Sequence, residues 1–361
     1  MKRLIYPYFT LLYLVLGSTL LAWVPFMRNF LTVYANYDGP LYIIVAKTFY
    51  DPSTIQSLQV GLNLNPEYFA AHLPLYPAFI AMVGPVTGYL RAMILVNVVF
   101  TIALAFLLHY VVKDFNLSRR PLLLTGVFLF LPRFLVVRSI GSPESLFMLL
   151  ILGSLYLFEK NKLVLSGVLG ALAVATKLPG ILLFVAYGLV YAERYLSNRE
   201  FNWRSMYTLI IPLGLLGVFG IYAGQYNDFF AYFHTNAVVP LVSPYAVFNQ
   251  AAKWVGTIWL EDVIFYFGIY AATIVTLRHS IHRSFFYFAV TFFIATIFVE
   301  HRDIARYSLP LWPLAVIAGE KIITSKKFLL ASLIILPAIY LYAWNFIGHN
   351  AAPIADWKPF L

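Results

Sequence analysis

The stretch YFTLLYLVLGSTLLAWVPFM, residues 8–27, decides the class of this protein. Its 20 consecutive uncharged residues have about the length that an α-helix needs to cross the hydrocarbon core of a bilayer. Lys2 and Arg3 precede the stretch, as basic residues do in a signal peptide, but no convincing small-residue cleavage site follows it. We therefore expect an uncleaved signal anchor that forms the first membrane span.

The whole chain has the composition of a polytopic membrane protein. Of its 361 residues, 61% are hydrophobic and 11% are charged, whereas soluble domains average roughly 45–50% apolar and about 25% charged residues. The absence of cysteine excludes disulfides and thiolate metal sites. A net charge of +10 would indicate a nucleic-acid partner in a soluble protein. Here the basic residues lie in loops between apolar segments, so no nucleic acid is expected.

Ten further apolar segments predict an all-α bundle of about eleven membrane-spanning helices in a single domain, residues 1–361. They lie at residues 92–112, 121–138, 143–158, 163–176, 178–192, 206–226, 260–277, 284–299, 306–319 and 328–347. Taken alternately, these spans place 15 of the 25 Lys and Arg residues in short loops on one side. That side, with the N-terminus, is predicted to be cytoplasmic. The lack of cysteine and of a retention signal favours a prokaryotic plasma membrane.

Residues 31–91 are predicted to form the first extracytoplasmic loop, with no separate soluble domain. The segment HLPLYPAFIAMVGPVTGYLR, residues 72–91, is apolar but is interrupted by three prolines and two glycines. If it crossed the membrane, every later loop would invert, and the basic residues between 113 and 120 would lie outside. We therefore expect two amphipathic juxtamembrane helices in this loop, lying on the outer surface.

Most of the remaining ionisable residues fall on or near the outer side. The centres of the predicted spans hold almost none, with Arg133 as the main exception. Transporters and channels usually place charged residues near mid-membrane, and carriers often show inverted repeats. Neither pattern is evident here. Polar chemistry at one membrane surface favours an enzyme that acts on a lipid headgroup.

The stretch NYDGPLYIIVAKTFYD, residues 36–51, contains the first candidate catalytic residue, Asp38. Aspartate is a favoured helix N-cap and proline a favoured first-turn residue, so Asp38 before Gly39-Pro40 is simply explained as a cap. The alternative is that Asp38 is a general base, kept ionised and oriented by the backbone N–H groups that it caps. Tyr42, four residues later, would share its helical face.

Two other motifs bring polar side chains to the same surface. HLPLYP contains His72 and Tyr76, which are alternatively a loop histidine and an interfacial aromatic residue. GSPESLF places Glu144 in the first turn of the next helix. The helix dipole favours an acid there without any catalytic role. Glu144 nevertheless adds a second carboxylate to the surface that holds Asp38.

Cationic and aromatic candidates lie in three further outer segments. ATKLPG places Lys177 in a brief turn, where it would meet a phosphate or snorkel towards the membrane surface. EHRDIARY places Arg302 and Arg306 one helical turn apart, where they would bind one phosphate or pair with neighbouring acids. YNDFFAYFHTNAVVP adds His234 within aromatic residues that would stack on a sugar or anchor the chain at the interface. Together these residues indicate a site for a lipid-phosphate substrate.

Six motifs, taken in order, resemble those of a known superfamily. They are YDGPLYIIVA, HLPLYPAFIAMVGP, GSPESLFMLLILGSLYLFEK, GVLGALAVATKLPGILL, NDFFAYFHTNAVVP and RYSLPLWPLAVIAG. This series is similar to the GT-C superfamily of integral-membrane glycosyltransferases, and within it to the PIG-V-like GPI mannosyltransferases and their prokaryotic relatives. The similarity extends over roughly residues 30–320, and it is carried by the order of the motifs, since each is loose on its own.

The resemblance implies an inverting glycosyltransferase that acts on the extracytoplasmic side of the membrane. It would move a sugar, mannose in this branch, from a polyprenyl or dolichyl monophosphate to a hydroxyl of a glycolipid, glycan or protein. The resemblance gives Asp38 the role of the catalytic base in the first outer loop. It matches Glu144 to an acidic residue of the second outer loop and Lys177 to the basic residue of a TRP- or TKGP-like turn. Tyr307 matches the tyrosine of an Arg-Tyr pair.

Two positions depart from the family pattern. Tyr37 precedes Asp38 where family members often have Trp-Asp or a pair of acids, and His72 stands where an aromatic residue is common. The transferred sugar and the subfamily therefore stay open at this point.

No obligatory metal or other cofactor is expected. Lys177, Arg302 and Arg306 can neutralise the leaving phosphate as fixed cations in a dry site. Three alternatives remain. A flippase or transporter of lipid-linked sugars would keep its function in an Asp38→Asn variant, and a ligase or polymerase of lipid-linked glycans would need a larger outer loop. A structural membrane subunit would show no phenotype from that substitution.

Overall fold

The computed structural model describes residues 2–361 except 37, 59–61, 63, 200–201, 236–239, 253 and 255–259, with only the backbone for residues 2–5. Tyr37, one of the two departures from the family pattern, thus lies outside the described residues. The described chain is all-α, as predicted. Its only β-type pairings are two isolated bridges, between Asn36 and Ala351 and between Leu241 and Val299.

The helices have the following bounds. The first six are α1 (Lys2–Trp23), α2 (Leu31–Tyr34), α3 (Gly39–Thr48), α4 (Pro52–Ser57), α5 (Leu75–Thr87) and α6 (Tyr89–Asp114). The next seven are α7 (Pro121–Phe128), α8 (Pro132–Val137), α9 (Glu144–Glu159), α10 (Leu163–Thr176), α11 (Leu182–Asn198), α12 (Ile210–Tyr226) and α13 (Ala231–His234). The last six are α14 (Glu261–Leu277), α15 (Arg283–Ile297), α16 (Ile304–Tyr307), α17 (Trp312–Ala318), α18 (Glu320–Ile323) and α19 (Lys326–His349). Short 3₁₀ turns precede or join several of them.

The protein is a multi-pass membrane protein. In the part of the chain that the structure describes, four helical stretches are long and apolar enough to cross a bilayer: Tyr6–Phe26, Tyr89–Asp114, Trp203–Tyr226 and Lys326–His349. The other predicted spans coincide with shorter helices. The one at 121–138 is divided into α7 and α8 at Pro132, since proline has no N–H to continue a helix. The total of eleven spans stays a prediction.

The α19 helix shows how the bundle meets lipid. Its apolar residues form one exposed stripe and one buried stripe, at the spacing of three and four that places residues on one helical face. The exposed stripe contains Leu330, Leu333, Ile334 and Leu341. The buried stripe contains Tyr340, Ala343 and Ile347. An apolar residue is therefore stable on either side of the helix, against protein or against acyl chains.

Ionisable residues gather at the two ends of the bundle. At one end, Lys160 pairs with Asp114 at 2.5 Å and Arg283 pairs with Glu193 at 2.8 Å. These residues come from the loops and helix ends that the sequence places in the cytoplasm. The opposite end holds Glu144 and the candidate site, so the two predicted sets of loops are separated in the structure.

The first outer loop differs from the prediction at α3. Eight of the ten residues of α3 are buried, because α5, α6 and the chain near residues 358–360 pack against it. The helix is thus a buried element instead of an amphipathic one on the surface. The α5 helix has 13 residues and is about 20 Å long, which is short of a hydrocarbon core of about 30 Å. Gly88, with φ of 84°, then reverses the chain into α6 in a conformation that favours glycine.

Residues 350–361 pack back against the start and the end of α3. Asn36 bridges to Ala351 and donates a hydrogen bond from Nδ2 to the carbonyl oxygen of Ile347 at 2.8 Å. At the other end of α3, the Lys47 ammonium donates to two main-chain oxygens of the segment, at 2.6 and 3.0 Å. The 350–361 segment therefore holds the helix that begins directly after Asp38.

Candidate active site

Two glycines bring the start of α3 against the turn before α9. A Cβ atom added to Gly39 would lie 2.9 Å from Met93 Sδ and 3.0 Å from the carbonyl oxygen of Gly141. A Cβ added to Gly141 would overlap the side chain of Met93. The carbonyl oxygen of Gly141 leaves little room for a side chain at position 39, and this close approach places Asp38 and Glu144 at the same end of the bundle.

Glu144 is the centre of the site. It is 2% exposed, and its Oε1 accepts hydrogen bonds from Lys177 Nζ at 2.7 Å and from Arg306 Nε at 2.6 Å. Its Oε2 accepts from the hydroxyl of Ser142. A buried carboxylate is stable only when it is paired and hydrogen-bonded, and both conditions are met here. One carboxylate thus fixes two cations from distant parts of the chain.

Asp38 is placed differently from the predicted helix cap. It stands at the N-cap position of α3, but its side chain makes no capping hydrogen bond. Asp51 shows the contrast, since its carboxylate caps α4 by accepting from the N–H of Thr54 at 2.8 Å. The Asp38 side chain is 43% exposed, and its Oδ2 lies 3.7 Å from a terminal nitrogen of Arg306. The capping explanation of Asp38 is therefore wrong, and a guanidinium, instead of backbone N–H groups, faces this carboxylate.

The aromatic rings of Tyr42, His72 and Tyr76 pack against one another near Asp38. The Tyr42 ring meets the His72 ring edge-on at 4.9 Å and the Tyr76 ring at 5.1 Å. The Tyr76 hydroxyl donates to the carbonyl oxygen of Met93 at 2.8 Å. All three side chains are at least 95% buried, so they form the buried side of the site.

His72 is held in its neutral form. Burial lowers the pKa of its imidazole below the ordinary value of 6.5, although the charge of Asp38 acts in the opposite direction. Its Nδ1 is buried and has no hydrogen-bond partner among the described residues. A buried polar atom of this kind usually costs about 1–3 kcal/mol.

We predict that His72 makes the protein less stable as the pH falls below about 6.5. Since the folded pKa is lowered, the unfolded chain binds more protons than the folded one in that range, and the free energy of unfolding decreases. The melting temperature, measured in detergent between pH 7.5 and 5.5, should fall less steeply in a His72→Gln variant. Burial also lowers the pKa of His301, so some slope should persist. Identical slopes in the two proteins would contradict the prediction.

Lys177 and Tyr307 complete the cationic side of the site. Lys177 Nζ lies 5.8 Å from the centre of the Tyr307 ring, and the ring of His301 meets Tyr307 edge-on at 5.0 Å. Burial lowers the pKa of the Lys177 ammonium, while the carboxylate of Glu144 raises it. Glu144 thus stabilises the charged form of Lys177 against the effect of burial.

Two predicted site residues have different surroundings from the cluster. Arg302 precedes α16, which starts at Ile304, so Arg302 and Arg306 do not share a helical face. Arg302 is exposed and Arg306 is buried. His234 is 66% exposed and pairs with Asp228 at 2.6 Å in the aromatic outer segment. The structure thus groups the other eight: Asp38, Tyr42, His72, Tyr76, Glu144, Lys177, Arg306 and Tyr307.

Two residues of this region were missed by the sequence reasoning. Ser142 lies in the GSPESLF motif, but nothing in the motif shows that its hydroxyl faces Glu144. Asp303 caps the four-residue helix α16 by accepting from the N–H of Arg306 at 3.3 Å. An aspartate three residues before Arg306 is a usable N-cap signal, and it would have placed the helix start correctly.

Comparison with known proteins identifies the fold. No family model and no curated protein matches the sequence. Among solved structures, the chain is similar to ArnT from Cupriavidus metallidurans bound to undecaprenyl phosphate, with a TM-score of 0.59 and 15% identity over 89% of this chain and 62% of that one. It is also similar to the archaeal oligosaccharyltransferase AglB from Archaeoglobus fulgidus in complex with an inhibitory peptide and a dolichol-phosphate. That match has a TM-score of 0.55 and 12% identity, over 96% of this chain and 57% of that one.

This chain therefore spans about three fifths of the length of these two proteins. The closer resemblance to the PIG-V-like mannosyltransferases stays a prediction. At identities of 12–15% the likeness concerns the fold, and it covers nearly the whole of this chain. The chain therefore has the fold of ArnT and of the oligosaccharyltransferase AglB, as the resemblance to the GT-C superfamily predicts.

Proposed function

We propose that this protein is an inverting glycosyltransferase that moves a sugar, mannose, from a polyprenyl or dolichyl monophosphate to a hydroxyl acceptor on the extracytoplasmic face. The observation that carries the proposal is the exposed Asp38 carboxylate, 3.7 Å from Arg306, which itself shares the carboxylate of Glu144 with Lys177. The carboxylate of Asp38 can accept the proton of an acceptor hydroxyl, and the cations next to it, Lys177 and Arg306, can bind a phosphate. The undecaprenyl phosphate and dolichol-phosphate bound to ArnT and AglB support a donor of this class.

The mechanism follows from these positions. The acceptor oxygen attacks the anomeric carbon on the face opposite the phosphate, and the bond from that carbon to the phosphate oxygen breaks. Asp38 takes the proton of the acceptor hydroxyl as general base. The electron pair of the broken bond leaves with the lipid phosphate, whose charge Lys177 and Arg306 stabilise. Both cations are already oriented by Glu144, so little reorganisation is needed during transfer.

The test uses purified protein in lipid nanodiscs. Polyprenyl-phosphate-mannose is supplied with a panel of glycolipid, glycan and peptide hydroxyl acceptors, and release of polyprenyl phosphate is followed. We expect release that depends on an acceptor. Tight donor binding without release under any acceptor would contradict the proposal and favour transport of lipid-linked sugars.

We further predict that transfer needs no divalent metal. The leaving phosphate is neutralised by Lys177 and Arg306, whose side chains are fixed by hydrogen bonds of 2.6–2.7 Å to Glu144. Extensive treatment with a chelator should therefore leave the transfer rate unchanged in the nanodisc assay. A strong loss that a divalent ion restores would overturn this prediction.

A further inference from the structure

A second charged pair lies outside the cluster around Glu144. Arg133, at the start of α8, is 5% exposed and forms an ion pair with Asp303. The guanidinium also donates to the hydroxyl of Tyr342 at 3.3 Å and lies 3.9 Å from the centre of the Phe346 ring. Tyr342 and Phe346 belong to α19. Arg133 is thus fixed by contacts in three directions.

The carboxylate of Asp303 serves two elements at once. Its Oδ2 binds Arg133, while its Oδ1 accepts from the N–H of Arg306 at 3.3 Å. The carbonyl oxygen of Asp303 accepts from the N–H groups of Arg306 and Tyr307 at 3.0 and 3.1 Å. The residue that pairs with Arg133 therefore also starts the helix that carries the site residues Arg306 and Tyr307.

The α16 helix depends on such anchors. It has four residues, and helices shorter than about 12–15 residues are marginal on their own. Its orientation decides where the Arg306 guanidinium lies, which is 2.6 Å from Glu144 through Nε and 3.7 Å from Asp38 through a terminal nitrogen. A small rotation of α16 would move that guanidinium relative to both carboxylates.

We propose that Arg133 and Asp303 are positioning residues, which fix α16 against α8 and α19 so that Arg306 faces Asp38 and the leaving phosphate. The inference rests on the proposed function for its kinetic consequence. Neither residue needs to touch the substrate. The effect is transmitted by the capping carboxylate, because Asp303 cannot shift towards or away from Arg133 without moving the first turn of α16.

The test compares Asp303→Asn, Arg133→Met and the double variant. Asparagine caps a helix about as well as aspartate, so Asp303→Asn removes the charge that binds Arg133 and keeps the cap. We expect kcat per donor-binding site to fall about 10- to 100-fold in each variant, as for a displacement of about 1 Å in a catalytic group. The KM for the donor should change much less. Glu300→Gln is the matched control, since Glu300 lies in the same turn and pairs with Asn249 at 2.7 Å.

The double variant separates positioning from folding. Removing one partner of a buried pair leaves an uncompensated charge and destabilises strongly, while removing both is much less harmful. The double variant should therefore melt closer to wild type than Arg133→Met does, yet transfer as slowly as the single variants. Recovery of the wild-type kcat in the double variant would refute the inference, and so would single variants that lose activity only in proportion to folded protein.

A spin label supplies a readout that needs no turnover. The chain has no cysteine, so Arg302→Cys can be labelled alone on the exposed turn before α16. The lines of its EPR spectrum should narrow, as for a more mobile label, when Asp303→Asn or Arg133→Met is added, and stay unchanged with Glu300→Gln. An unchanged spectrum in all three would overturn the positioning role. If the wild type transfers no sugar, the proposed function fails, while the label still decides whether the pair fixes α16.

Discussion

Replacing Asp38 by asparagine is expected to lower the rate of sugar transfer by about 10²- to 10⁴-fold, the usual contribution of a general base. The amide keeps the size of the carboxylate but takes no proton from the acceptor hydroxyl. Donor binding should persist, because the cations Lys177 and Arg306 are held by Glu144. The measurement is release of polyprenyl phosphate in nanodiscs, with donor binding followed separately.

Asp51→Asn is the matched control for this prediction. Asp51 is also an outer-loop aspartate at a helix N-terminus, but its carboxylate truly caps α4, and asparagine caps about as well. Asp51→Asn should therefore leave both stability and transfer close to wild type. Equal turnover by Asp38→Asn and wild type would show that Asp38 is not the base.

Replacing Glu144 by glutamine is expected to reduce both stability and activity. The substitution leaves Lys177 and Arg306 without the carboxylate that neutralises them, and Arg306 is 7% exposed. Breaking a buried pair by removing one partner typically costs about 3–5 kcal/mol. The surviving folded protein should also transfer sugar more slowly, because neither cation is then oriented. Melting in detergent and transfer per donor-binding site measure the two effects independently.

Glu159→Gln tests whether this effect is specific to the outer end of α9. Glu159 is the last residue of the same helix, and it accepts from the N–H of Ser284 at 2.9 Å and lies 3.5 Å from His282. Its loss should cost some stability and leave transfer per folded molecule unchanged. A Glu144→Gln variant that resembles Glu159→Gln in both measurements would argue against Glu144 as the organiser of the site.

Much of the fold was predictable from the sequence because membrane insertion depends on local composition. The apolar segments that predict the spans coincide with described helices, and their ends separate the charged residues into two groups, as the alternation of loops predicts. The burial of α3 was not predictable in this way. It depends on residues 350–361, which contact α3 from more than 300 positions away.

The site was predictable as a set of candidates but not as a geometry. The motifs placed Asp38, Glu144, Lys177 and Arg306 at one membrane surface. Which of them pair could not be read from the sequence, since Glu144 and Arg306 are 162 residues apart and Arg133 and Asp303 are 170 apart. Such contacts depend on how helices pack. The local pattern also gave a wrong prediction at Arg302. Asp303 is the N-cap of α16, so Arg302 lies before the helix and does not share a helical face with Arg306.

The contact between α3 and residues 350–361 also sets a time order for biosynthesis. Lys47 and its partner Pro359 are 312 residues apart, and a ribosome that adds about 5–20 residues per second needs roughly 15–60 s to make that length. During this interval α3 lacks the segment that holds it, and α16 with Arg306 has not yet been made for most of it. Under the proposed function and the predicted topology, we therefore expect a nascent chain whose first loop is already exported to transfer no sugar from the lipid donors around it.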